Sequence, residues 1–151
     1  MEKKKRRLTR STAVMIIIAA AVLITAAVLV RGIRDKPGSG LQALINVSTQ
    51  QGRQKYLSNL GWEIDAASEK SAEIVVPVEF GQVLEEYNKL QKQQGFDLSV
   101  YSGMKCTQYS YFVTNYPGEE QVVATLYVHG RQVVGGDIHS TRVDGFMHTL
   151  K

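Results

Sequence analysis

The 151-residue chain has one cysteine, three prolines and no aromatic side chain before residue 40. A lone Cys106 excludes an internal disulfide, and the absence of an earlier cysteine excludes a lipidated cysteine at the end of the apolar run 13–30. No phosphate-binding loop, dinucleotide fingerprint, Gly-x-Ser-x-Gly elbow or histidine-rich zinc motif occurs, so none of the usual sequence signatures of nucleotide, hydrolase or zinc chemistry is present. The length suits one small domain and excludes a multidomain enzyme. Positive charge is unevenly distributed. The first twelve residues carry six Lys or Arg against one acid, whereas residues 41–151 carry nine against twelve. The net charge of +4 is therefore no argument for nucleic acid binding, and no nucleic acid partner is expected.

The longest apolar stretch is residues 13–30, interrupted only by Thr25. At 1.5 Å per residue a helix of this length spans about 27 Å, close to a bilayer's hydrocarbon core. The reading is one transmembrane helix. A cleaved signal peptide competes with it, but such apolar regions are usually shorter and are followed by a small-x-small site, whereas here Arg31 follows directly. Lys3, Lys4, Lys5, Arg6, Arg7 and Arg10 outnumber Arg31, Arg34 and Lys36, which predicts a basic cytoplasmic tail over residues 1–12. Residues 31–40, with Pro37, Gly38 and Gly40, read as a linker, and residues 41–151 as an extracytoplasmic domain. The expected location is the cell membrane, with lipid as a partner through the anchor and an envelope protein as partner of the outer domain.

That domain reads as α+β, with two helices on a mainly antiparallel sheet ending in a three-stranded meander. Ser48 or Thr49 can cap a helix through Arg53, Tyr56, Leu57 and Leu60, closed by Gly61. Trp62, Glu63 and Ile64 read as a short strand, and residues 73–78 as another whose Pro77 marks a strand end or sheet edge. Phe80, Val83, Leu84, Tyr87 and Leu90 fall on one helical face and predict a second helix buried along it, closed by Gly95. From residue 105 the period becomes two, with Tyr109, Tyr111 and Val113 on one face. Turns at residues 115–118 and 129–131 then separate strands over 122–128 and 133–139.

In order along the chain stand Tyr56-Leu57, Leu60-Gly61-Trp62-Glu63-Ile64, Val76-Pro77 with Glu79-Phe80, and Gln94-Gly95-Phe96-Asp97-Leu98-Ser99. Thr114-Asn115-Tyr116-Pro117-Gly118, Gly135-Gly136-Asp137-Ile138 and Gly145-Phe146-Met147-His148 follow. Together these stretches cover most of residues 53–150. They resemble a domain of unknown function found in membrane-anchored extracytoplasmic proteins of Gram-positive anaerobes. Each motif is weak alone, while their order is specific. The resemblance implies a small extracytoplasmic domain and brings no activity with it.

Three groups of residues are candidates for chemistry. Tyr109, Tyr111 and Tyr127 read as a row on neighbouring strands, either a packing ridge or, on an open face, a platform for a peptide or glycan. Asp137 and His139 share a strand face, and if His148 returns near them the three make a transition-metal site. Cys106 reads as a small buried hydrophobe, with an intermolecular bridge as the alternative. Gly135-Gly136 within a strand pattern predicts a bulge or a close backbone approach. The paired acids Glu85-Glu86 and Glu119-Glu120 read as solvated. No cofactor is expected. The function that follows is a non-catalytic interaction module binding an envelope or membrane partner through a sheet face or edge. The alternative, from another class, is a small-ligand or metal-binding domain, with enzymatic activity as an option, built on Asp137, His139 and His148.

Overall fold

The computed structural model describes residues 45–151. The basic tail, the apolar run 13–30 and the linker lie outside the described residues. Among the described residues no helix is long and apolar enough to cross a membrane.

Five antiparallel strands lie in the order β1-β2-β3-β4-β5: Lys70–Val75, Lys105–Phe112, Val122–His129, Gln132–Ser140 and Met147–His148. Helix α1 is Gln50–Asn59 and α2 is Gln82–Gln93. Short 3-10 turns, Ala66–Ser68 and Leu98–Tyr101, precede β1 and β2. The α+β reading and its three-stranded meander therefore stand, with β1 and β5 extending the meander at both ends. Trp62, Glu63 and Ile64 form no strand of their own and contribute only an isolated bridge between Ile64 and Val113.

Local chemistry explains the helix ends. Thr49 caps α1 through its hydroxyl, which accepts from the Gly52 amide, while Gly61 ends the segment at φ +93°, a conformation that costs glycine little. The two helices cover opposite faces of the sheet. On one face α1 sets Tyr56 and Leu57 against Tyr111, Val122, Ala124, Leu126 and Ile138. A buried Leu such as Leu57 contributes about 2 kcal/mol by leaving water. On the other face α2 meets β4, and a smaller cluster of Val76, Cys106 and Val134 forms alongside Phe80, Tyr101 and Tyr127.

Helix α2 buries the side predicted for it only in part, with Phe80, Leu84, Tyr87 and Leu90 half-buried. Val83 is 85% exposed, while Asn88, Gln91 and Gln94 are buried. Several of their amide atoms bond to backbone, whereas Asn88 Nδ2 donates to Asp97 Oδ1 at 2.9 Å and Gln91 Nε2 has no partner among the described residues. Gln91 Oε1 accepts from the Gly136 amide at 2.8 Å, and Gln94 Nε2 donates to the Gly136 carbonyl at 2.7 Å. Gln94 Oε1 also accepts from the Leu150 amide at 3.0 Å, and Asn88 Oδ1 from the Leu98 amide at 2.8 Å. Two side-chain amides thus complete the outer edge of β4 where β5 does not reach, and this bonding places polar residues beside the apolar stripe on the inward side of the helix.

Both readings of the glycine pair hold. The β3–β4 register shifts between Tyr127 and Val128, leaving Val134 as the extra residue. A Cβ on Gly136 would stand 2.5 Å from the Thr125 carbonyl oxygen and 2.8 Å from Leu150 Cδ1, so the backbone approach there requires glycine.

Candidate functional site

Strand register decides what the candidate residues do. Tyr109 lies opposite Leu126 and Tyr111 opposite Ala124, whereas Tyr127 lies opposite Gln108. Directly opposed residues share a face, so Tyr127 points away from the other two and the three tyrosines form no common row. Tyr111 is 1% exposed. Its hydroxyl meets Glu69 and accepts from Arg53 Nε at 2.8 Å. The Arg53 guanidinium, itself buried, lies 3.6 Å from the centre of the Tyr109 ring and ion-pairs with Glu69 at 2.9 Å. This closed network binds α1 to the sheet. The open platform expected for Tyr109 and Tyr111 is absent because α1 covers that face.

The proposed metal triad separates for the same reason. Asp137 and His139 share the α2 face, and His139 Nδ1 donates to Asp137 Oδ1 at 2.7 Å. His148 pairs with Ile138 and so faces the other side of the sheet. There it stacks on Phe146, with ring centres 5.5 Å apart. Its Nδ1 donates to the Thr149 carbonyl at 2.7 Å, leaving Nε2 to accept from the Tyr116 hydroxyl at 3.2 Å. His148 is thus held in an aromatic cluster with Trp62, Tyr116 and Phe146. Among the described residues no group of three or more His, Cys, Asp or Glu side chains is placed to hold a metal ion. Cys106 is buried, and burial pushes its thiol pKa up, away from a reactive thiolate.

A different constellation surrounds Asp137. Its carboxylate is buried and accepts from the Tyr87 hydroxyl at 2.5 Å through Oδ2, while Oδ1 holds His139. Tyr87 packs edge-on against Tyr127, with ring centres 6.1 Å apart. The hydrogen bond to Asp137 raises the His139 pKa above the ordinary histidine value, against the opposing effect of burial. Burial foremost, then the Asp137 charge, pushes the Tyr87 phenol far above its usual range. Tyr87 is therefore a fixed neutral donor and His139 an imidazole whose tautomer is set by Asp137. Among the described residues no Ser, Thr or Cys side chain hydrogen-bonds to His139, so the Asp–His pair stands without a nucleophile in contact.

Beside this network runs an open groove of about 740 Å³ between α2 and β5, whose lining includes apolar Val83, Leu84, Leu90 and Met147 together with Glu79 and Glu86. Met147, 51% exposed, lies opposite His139 in the β4–β5 ladder. With Asn88, Gln91 and Gln94 turned to the sheet, the outer part of the apolar stripe, Val83 with half-buried Leu84 and Leu90, is left open to the groove. The sequence stripe had identified Val83, Leu84, Tyr87 and Leu90, but as core. Gln91 and Gln94, which bond the edge of β4, carry no sequence signal for that role.

The fold and this surface define a small α+β domain that presents an apolar groove and has no assembled catalytic triad or metal centre among the described residues. The family model described as "Domain of unknown function (DUF4830)" matches residues 56–138, more than half of the chain, and the chain belongs to that family. No curated protein and no solved structure matches it.

Proposed function

We propose that the chain is a membrane-anchored extracytoplasmic docking module, tethered by residues 13–30 with its amino terminus in the cytoplasm. Its domain receives an apolar segment of an envelope or membrane protein in the groove between α2 and β5. One observation carries this reading. The apolar stripe of α2 is only partly taken up by the domain's own packing: Phe80 and Tyr87 pack on the sheet, while Val83 is 85% exposed and Leu84 and Leu90 are half-buried. An amphipathic face left open in this way gains about 25 cal/mol for each Å² that a partner removes from water. The test is a photo-crosslinking side chain at Val83 in the full chain in its native membrane, with the same side chain at Val100, which is 65% exposed beyond the end of α2, as control. The expected result is a discrete protein adduct at Val83, absent at Val100 and lost with Leu84→Glu. Identical adduct patterns at both positions, or none at Val83, would contradict the reading.

A second reading has one observation in its favour, the His139 imidazole oriented by a buried carboxylate, which suits a small ligand or a metal ion bound without His148. Titration of the full chain with zinc, copper and nickel, compared with His139→Ala, separates the two. Binding lost in the variant supports the ligand reading, and indistinguishable binding removes it.

A further inference from the structure

The two edges of the sheet are finished differently. Along β4 the outward backbone groups are paired at Gly136 by Gln91 and Gln94, at Ile138 by β5, and at Ser140, whose amide donates to the Phe146 carbonyl at 3.0 Å. At β1 nothing comparable occurs. The Val76 amide donates to the Met104 carbonyl at 3.0 Å and the Val76 carbonyl accepts from the Gly103 amide at 2.8 Å, so Val76 directs its backbone toward β2. Antiparallel alternation then turns Ile74, Ala72 and Lys70 inward and leaves Ser71, Glu73 and Val75 with N–H and C=O directed outward. Among the described residues these outward groups have no hydrogen-bond partner.

Side chains do not shield this edge either. Five of the six residues of β1 are exposed, so neither helix covers it. The ladder with β2 runs unbroken from Lys70 opposite Ser110 to Val75 opposite Lys105, without a bulge to twist the edge away. Proline is absent from the strand, and the small Ser71 and Ala72 leave the middle of the edge open. Of the usual protections only the charges of Lys70 and Glu73 are present.

We infer that β1 is a strand-addition site, at which an extended segment of a partner protein, carrying Lys or Arg opposite Glu73, lengthens the sheet. This goes beyond the groove and does not depend on it. A second copy of the chain fits poorly. Two β1 strands in antiparallel register must pair outward residues with outward residues, and the register that uses all three sets Glu73 against Glu73 of the other copy, a like-charge pair that destabilises a sheet. A foreign strand has no such restriction, and a cation opposite Glu73 would join the ion pair that Glu73 already makes with Lys105 at 2.7 Å. Backbone pairing supplies the affinity and the opposed charge the selectivity.

The experiment is selection of a displayed random peptide library on the full chain in lipid nanodiscs, followed by amide exchange with the selected peptides. Ser71→Pro deletes an outward donor while leaving the inward ladder to β2 in place, as proline on an edge strand can. Unchanged exchange at Leu126 and Ile138 shows that this variant is folded. The inference predicts peptides enriched in Lys or Arg that slow exchange at Ser71, Glu73 and Val75. It predicts that they bind about tenfold or more weakly to Ser71→Pro and to Glu73→Lys, while Ser71→Ala binds as the parent chain does. Failure to select such peptides, or equal binding to Ser71→Pro, would overturn it. Concentration-dependent protection of the three amides without peptide would overturn the foreign partner in favour of self-pairing.

Discussion

Arg53 in the interior and half-buried His139 carry charge chemistry that hydropathy alone would not place there. Arg53 is 3% exposed, yet its guanidinium has Glu69, the Tyr111 hydroxyl and the Val47 carbonyl as partners, so the cost of its desolvation is offset by hydrogen bonds. Tyr111→Phe removes the shared hydroxyl and leaves the ion pair. We predict a loss of about 1–2 kcal/mol, read from the denaturant midpoint. Arg53→Ala should cost more, about 3 kcal/mol, because Glu69 is left partly buried without its cation. His139 adds a pH dependence whose sign is fixed. Its folded-state pKa is raised, chiefly by the bond to Asp137, so the stabilisation is complete below the unfolded value of about 6.5 and disappears as pH rises through the folded value above it. In unfolding midpoints measured across this window, the advantage of the parent chain over His139→Gln should shrink as pH rises. An advantage that grows with pH would contradict the pairing.

At the scale of elements, the amides of α2 hold the position of β4 and the carboxyl-terminal segment. Gln94→Ala leaves the Gly136 carbonyl and the Leu150 amide without partners. It should cost about 2–3 kcal/mol and speed amide exchange at Leu150. Gly136→Ala forces a methyl group against the Thr125 carbonyl and Leu150, with an expected loss of about 1–3 kcal/mol in the same unfolding measurement. These elements also indicate what a sequence discloses. Alternation identified β2, β3 and β4, and Gly61 and Gly95, both at positive φ, marked where the two helices stop. Periodicity located α2 and part of its inward side, Tyr87 among it, but missed Asn88, Gln91 and Gln94, because the Gln91 and Gln94 bonds depend on strand edges far away in sequence. Strand β5 went unread since Met147–His148 is too short for a pattern. The tyrosine row and the metal triad both failed on parity between strands, which the register across the β2–β3 and β4–β5 loops fixes and no single strand encodes.

For the whole molecule, the described residues give a sheet covered on both faces, with one edge closed by side-chain amides and the other bare, and an apolar groove beside α2. Such surfaces suit a protein that works by contact. The central claim of the proposed function is that this domain lies on the extracytoplasmic side, a proposal that rests on the charge asymmetry around residues 13–30. The most direct test is labelling of intact cells with a membrane-impermeant thiol reagent, in a Cys106→Ala chain carrying one new cysteine in place of Ser39 or Ser11. The account predicts labelling through Ser39→Cys and none through Ser11→Cys until the membrane is opened. Labelling through Ser11→Cys alone would reverse the orientation and contradict the account.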